Sequence, residues 1–165
     1  MIEQIYTYFT IEMIYFWLNV GVIPFWLILI FFPQTRVCKI FTISVFPIFI
    51  LSFIYCYLIY QIFQYGYDFS INLRLYLGMN EISNLFSNNS FLILFWVHFL
   101  SVNLFCGAWI VNDYQKFGIS KILMFLPLII TYFIGPIGIF VIGFLEFFMQ
   151  KELHFMNKNY ENKFF

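Results

Sequence analysis

The chain has 165 residues, of which 63% are hydrophobic, 25% aromatic and only 10% charged, with a formal net charge of zero and a mean hydropathy of +0.88. A soluble domain carries about a quarter charged residues, so a water-soluble globule is excluded, and the lack of a basic stripe excludes a nucleic-acid partner. The length excludes a large transporter built from repeated halves and leaves one compact all-α bundle of membrane helices.

A helix needs about 20 apolar residues to cross the hydrocarbon core. In chain order the apolar runs predict four transmembrane helices: Ile14–Phe32, ending at Pro33; Ile40–Phe63, after the basic turn with Arg36 and Lys39; Phe91–Val111; and Ile122–Met149, long enough to tilt or kink. The intervening stretch Gln64–Ser90 holds Asp68, Arg74 and Glu81 with five asparagines, and is too polar to span. Its interspersed leucines and isoleucines predict one or two short helices lying on the bilayer surface. Residues 151–165 form a polar tail.

Four spans put both chain ends on one side. Lys and Arg then divide four against four, with Arg36, Lys39, Lys116 and Lys121 facing Arg74, Lys151, Lys158 and Lys163. The N-terminal segment has none, which orients both termini outside and the two short loops in the cytoplasm. A cleavable signal peptide is not expected, because Arg36 is the first basic residue and Glu3 and Glu12 precede the apolar run. Cys38, Cys56 and Cys106 lack the spacing of a disulfide framework or a zinc site, and read as small apolar fillers.

Pro24, Pro47, Pro127 and Pro136 fall inside the predicted spans. Each removes a donor and frees a carbonyl, which lipid does not satisfy. Such sites are either ordinary kinks or openings between helices, and Gly135-Pro136-Ile137-Gly138 favours a close approach of another helix or a ligand. Intramembrane polar groups are candidate site residues. In the third span these are His98, Ser101, Asn103, Trp109 and Asn112, with Asp113 at its mouth. At 100° per residue, His98, Ser101, Phe105 and Trp109 share a stripe, and Asn103 and Gly107 share another on a face that includes Trp96. In the first span Glu12, Asn19 and Trp26 recur every seven residues, and Asn19 is placed to bond a carbonyl freed by Pro24. Glu146, near the end of the fourth run, reads as snorkelling toward the headgroups. His98 is open to three readings: a hydrogen-bonded structural residue, a haem or metal ligand, or a proton donor or acceptor. A bis-histidine haem would need a second buried His, and His154 lies in the tail; a metal would need further ligands at suitable spacing.

The run from Phe95 to Asp113, which reads F-W-V-H-F-L-S-V-N-L-F-C-G-A-W-I-V-N-D, followed by G-P-I-G at 135–138, resembles the ABA-deficient-four-like family, also called neoxanthin-synthase-like. Trp96, His98, Leu100, Leu104, Phe105, Gly107, Trp109 and Asp113 match its pattern. Asn19, Pro24-Phe25-Trp26 and Pro33 resemble its opening signature, and Asp68-Phe69 and Leu85-Phe86 its middle loop. The resemblance covers nearly the whole chain. It departs at Asn103, where the family pattern has Asp.

Plastid members of that family are needed to make allenic neoxanthin from violaxanthin. The resemblance therefore implies an intramolecular isomerase acting on a carotenoid in a bacterial inner membrane or plastid membrane, without a redox cofactor. Opening an epoxide to an allene requires an acid at the epoxide oxygen and a base for a polyene proton. On this reading His98 and Asp113 are the catalytic candidates. Asn19, Trp26, Trp96, Asn103, Gly107 and Trp109 bind substrate, and Pro24, Gly135, Pro136 and Gly138 shape the bundle. Because an amide does not titrate, Asn103 supports a second reading: a non-catalytic protein that binds a carotenoid, quinone or lipid, or a small subunit of a pigment or respiratory complex in contact with other membrane subunits.

Overall fold

The computed structural model describes residues 10–44, 46–66, 68–117 and 120–161. The first helix, α1, runs Ile11–Phe31. Thr10 caps it by accepting from the Met13 N–H at 3.3 Å, and Glu12 sits in the first turn, where a negative charge complements the helix dipole. It stops before Pro33, whose ring disfavours helical backbone in the preceding residue. Leu18, Val22, Trp26 and Leu29 form its buried stripe. The opposite face is also apolar, with Phe16, Trp17, Val20, Ile23 and Leu27 exposed. A helix apolar all round suits a bilayer rather than water.

Thr35 reverses the chain, its hydroxyl donating to the Phe32 carbonyl at 2.8 Å and accepting from the Cys38 N–H at 3.2 Å. A π-helical turn, Cys38–Thr42, leads into α2, Phe46–Gln64. Pro47 therefore stands in the first turn of α2, where a missing N–H costs nothing, rather than kinking one continuous span. The polar stretch that follows contains two short helices, as expected: a 3₁₀ helix, Phe69–Tyr76, and α3, Met79–Phe86. Asp68 caps the first through the Ser70 N–H at 2.9 Å and hydroxyl at 2.8 Å, and Arg74 and Glu81 join the two across 3.9 Å. Leu85 is buried, and the Phe86 ring packs edge-on against Phe91 and Phe95.

The next helix, α4, spans Asn89–Phe117. Asn88 caps it, its Oδ1 accepting from the Ser90 and Phe91 N–H groups at 2.9 and 3.2 Å. Within the apolar windows, 56% of α4 is buried against 22% of α1 and 24% of the Cys38–Gln64 stretch, so α4 is the axis of the bundle. Among the described residues three helical stretches are long and apolar enough to cross a membrane: Ile11–Phe31, Cys38–Gln64 and Asn89–Asp113.

The expected fourth span, Ile122–Met149, is not a single helix. It is α5, Lys121–Phe133, and α6, Gly135–Glu161, separated at Ile134 with φ −144° and ψ 82°. Pro136 cannot donate to the Tyr132 carbonyl, and its ring would collide with that carbonyl in a continuing helix. The chain folds back instead. A Cβ added to Gly138 would overlap the Thr131 hydroxyl and lie 2.7 Å from the Pro127 carbonyl oxygen. Eleven residues apart, those groups would be separated by about 16 Å in a continuous helix. The 13 residues of α5 cover only about 20 Å, short of the roughly 30 Å core. The apolar part of α6, Gly135–Phe148, is similarly short.

The hairpin therefore enters the bundle beside the Asp113 end of α4, turns near its middle and returns. Among the described residues, Thr10 lies at the end of the bundle shared with Asn89, and the end of the apolar part of α6 lies at the other, whereas one continuous fourth helix would bring the two to the same end.

Candidate functional site

The residues of the sequence motifs meet where the hairpin turns against α1 and α4. Asn103 is buried, and its Nδ2 donates to the Tyr132 carbonyl at 3.5 Å. That carbonyl is the one Pro136 leaves without its helical donor. Gly135 lies against the other end of the same amide, for a Cβ there would collide with Asn103 Oδ1 and approach its Cγ to 3.3 Å. The amide thus presents its N–H to the carbonyl end of α5 and its oxygen to the amino end of α6, matching the dipoles of both. Gly107, one turn further along α4, admits Trp26 of α1: a Cβ would lie 2.8 Å from Cη2 and 2.9 Å from Cζ3 of the indole. The indole packs edge-on against the Tyr132 ring at 5.3 Å between centroids. At the foot of the hairpin the Thr131 hydroxyl donates to the Pro127 carbonyl at 2.7 Å and fills the space opposite Gly138.

The other candidates lie elsewhere. His98 faces outward from the bundle on the stripe that carries Phe95, Val102, Phe105 and Trp109, all of them exposed. Ser101 donates to the Val97 carbonyl at 2.7 Å. Asp113 is buried near the far end of α4, fifteen positions and about 22 Å along the axis from His98. His98 and Asp113 are not brought together. Asn19 donates to the Tyr15 carbonyl of its own helix at 2.7 Å, not to the Val20 carbonyl freed by Pro24, and it does not join the Asn103 cluster. Pro24 itself faces outward, and α1 reaches the cluster through Trp26. Trp96 packs on Tyr15 at 5.4 Å and Phe99 at 5.3 Å, away from Trp26. Its indole N–H is buried without a hydrogen-bond partner among the described residues, and the residue lines a recess of about 750 Å³ with Glu12 and Asn89.

A narrower cleft of about 290 Å³ runs between α1 and α2, walled by Trp17, Phe25, Pro47 and Tyr57. Ile14 and Tyr57 also line a second recess of about 700 Å³, near the Thr10 end of the bundle.

The family model described as ABA DEFICIENT 4-like matches residues 13–141, from the first turn of α1 into α6. The chain belongs to the ABA DEFICIENT 4-like family. Neither a curated protein nor a solved structure matches it. In this ABA DEFICIENT 4-like chain the matched region contains the whole Trp26–Asn103–Gly107–Gly135 cluster and the Gly138 contact. There Asn103 Nδ2 and the Thr131 hydroxyl both donate to backbone carbonyls of α5. The sequence reading missed Tyr132 and Thr131, which supply the carbonyl and hydroxyl of the cluster. The available signal was Pro136 itself: the carbonyl four residues before a proline has lost its helical donor, and an intramembrane amide is a natural replacement.

Proposed function

We propose that this chain is a multi-pass membrane protein that holds a carotenoid-class polyene among its helices without isomerising it. The observation that carries this reading is Asn103. At the position where the family resemblance leads one to expect Asp, an amide stands, buried and donating to the Tyr132 carbonyl. It does not titrate, and one of its two N–H donors is committed to that carbonyl rather than to a substrate oxygen. The separation of His98 from Asp113 adds support, because groups about 22 Å apart along one helix do not serve one reacting ring. Membership of the ABA DEFICIENT 4-like family and the aromatic-walled cleft between α1 and α2 favour a long apolar ligand.

A second reading keeps the isomerisation, and one observation favours it. His98 is exposed on an apolar stripe in the middle of α4, where a substrate ring dissolved in hydrocarbon meets the imidazole without entering the bundle. The imidazole then acts as acid at the epoxide oxygen or base at the polyene carbon.

One experiment separates the two. Violaxanthin is supplied to membranes containing the wild type, His98→Ala or Asn103→Asp, and the pigment is extracted and chromatographed. Retained but unchanged violaxanthin in all three supports binding. An allenic product from the wild type that His98→Ala abolishes supports isomerisation. Neither retention nor product in any of the three counts against both.

The fold also suggests an orientation. With the hairpin folded back, the basic residues of the described part divide unevenly: Arg36, Lys39, Lys116, Lys121, Lys151 and Lys158 belong to elements at the Asp113 end, and Arg74 to the Thr10 end. Basic residues concentrate on the cytoplasmic side, which puts the turn after α1, the α4–α5 turn and the C-terminal extension there and the start of α1 outside.

A further inference from the structure

Gly21 sits in the middle of α1, where glycine is the least favourable residue after proline. The other helical glycines of the cluster, Gly107, Gly135 and Gly138, are required by close packing, since a Cβ at each would meet a neighbour within 3.0 Å. Gly21 has no such neighbour: nothing lies within 4 Å of a Cβ built there. The space over it is the cleft between α1 and α2. Its walls run along α1 from Ile14 to Phe25, roughly 16 Å of helix. The lining is almost wholly carbon, and Trp17, Phe25 and Tyr57 supply flat aromatic surfaces. Ile14 and Tyr57 line both the cleft and the wider recess beside it, whose polar groups also include Thr10, Gln61, Tyr65 and Ser90. There Gln61 Nε2 donates to the Tyr57 hydroxyl at 3.0 Å. Among the described residues no Lys, Arg, Asp or Glu lines either space.

We infer that this cleft is the ligand site: the polyene body lies over Gly21 between α1 and α2, and an uncharged hydroxyl- or keto-bearing end ring sits in the Tyr57–Gln61 mouth. The choice of occupant follows from the charge and shape of the lining. A phospholipid head needs cations for its phosphate, and the described lining residues supply none. A fatty acid or bile-acid-like carboxylate needs the same. Neutral donors and acceptors at one end of a narrow aromatic slot match a rod-like isoprenoid that is polar only at its ends. Gly21 keeps the slot open at the expense of helix propensity. The inference rests on the polyene-binding reading above and adds to it the location of the ligand and the nature of its end group.

The test uses the full-length protein purified from membranes incubated with zeaxanthin, which carries ring hydroxyls, or with β-carotene, which carries none. Bound pigment is read from its absorption spectrum, and folding from thermal unfolding. Gly21→Leu places a side chain in empty space, so it is expected to fold at least as well as the wild type and to retain less than a tenth of the zeaxanthin. Gly143→Leu is the matched control, for Gly143 on α6 also has nothing within 4 Å of a Cβ but lies outside the cleft. It should retain zeaxanthin at the wild-type level. Gln61→Leu should erase the preference for zeaxanthin over β-carotene while still holding pigment. Full retention by a folded Gly21→Leu overturns the cleft as the site and leaves polyene binding standing. Equal retention of both pigments by the wild type overturns the assignment of the mouth. A wild type that binds neither pigment overturns the binding reading and this inference together.

Discussion

The side-chain amide of Asn103, in the middle of α4, donates to the backbone carbonyl of Tyr132 at the end of α5, 29 residues later. This bond ties the axis of the bundle to the apex of a helical hairpin and satisfies a carbonyl that Pro136 has deprived of its donor. In water such a bond would be marginal. In an apolar interior the alternative is an orphaned carbonyl, which costs about 1–3 kcal/mol.

Asn103→Ala is therefore expected to destabilise the protein by about 1–3 kcal/mol, although it removes only a few atoms. Asn103→Asp is expected to cost at least as much at neutral pH, because a carboxylate oxygen then faces the Tyr132 carbonyl in a poorly solvated place. Thermal unfolding in detergent checks both. Variants indistinguishable from wild type would remove the amide from its role in holding the hairpin.

Gly138→Ala tests the fold-back directly. The new methyl would approach the Pro127 carbonyl oxygen to 2.7 Å, and backbone cannot step aside as a side chain can. The expected cost is about 1–3 kcal/mol, with partial opening of the hairpin. Gly143→Ala, in open space on the same helix, should be neutral or slightly stabilising. A continuous fourth span would tolerate both changes equally, and unfolding midpoints of the two variants decide the matter.

The membrane orientation is tested by labelling. In a background with Cys38, Cys56 and Cys106 replaced by Ser, Tyr76→Cys and Lys158→Cys are exposed in turn to a membrane-impermeant maleimide in sealed cells and in inverted vesicles. Position 76 should label from outside and position 158 from inside. Four full spans would put both on the same side. Labelling of both positions in sealed cells would contradict the folded-back hairpin as the arrangement in the bilayer.

Asp68 supplies a pH dependence. It lies outside the spans, and the Ser70 hydroxyl and N–H that donate to its carboxylate hold it below its ordinary value. A carboxylate with a lowered folded value stabilises the structure above the usual range near pH 4, and that contribution is lost as the pH falls below that range and through the lowered folded value. Amide exchange in the 3₁₀ helix Phe69–Tyr76 should accordingly be slower in wild type than in Asp68→Ala at pH 6, with the difference shrinking as the pH is lowered below about 4. A difference that stays constant throughout the acid titration would show that the cap does not act through the carboxylate.

How much of this was legible in the chain depends on which interactions are local. Three of the four expected spans were placed within a few residues, because apolar run length and the end signals at Pro33 and the polar Gln64–Ser90 stretch are properties of contiguous sequence. The caps Thr10, Asp68, Asn88 and Ser120 also act within a few residues of themselves. The fourth run misled for a definite reason: its composition suits one long helix as well as two short ones, since hydrophobicity has no memory of direction. Pro136 and the two flanking glycines mark a weak point, but a kink and a reversal begin with the same lost hydrogen bond. The reversal was decided by what stood opposite, namely an amide at Asn103 to take the Tyr132 carbonyl and space at Gly138 for Thr131 and Pro127.

The membrane class, the family and the identity of the polar residues inside the helices were set by the chain itself, because they depend on how many apolar residues follow one another and on which residues stand at the motif positions. Which of those residues share a place was set by the tertiary structure. Helical periodicity assigns a residue to a face but does not say what packs on it. Asn103, Gly107 and Trp26 meet because α4 lies between α1 and the hairpin, whereas His98 faces outward because none of the described helices covers its stripe. The cleft over Gly21 likewise exists only between two helices, and no single segment of sequence contains it.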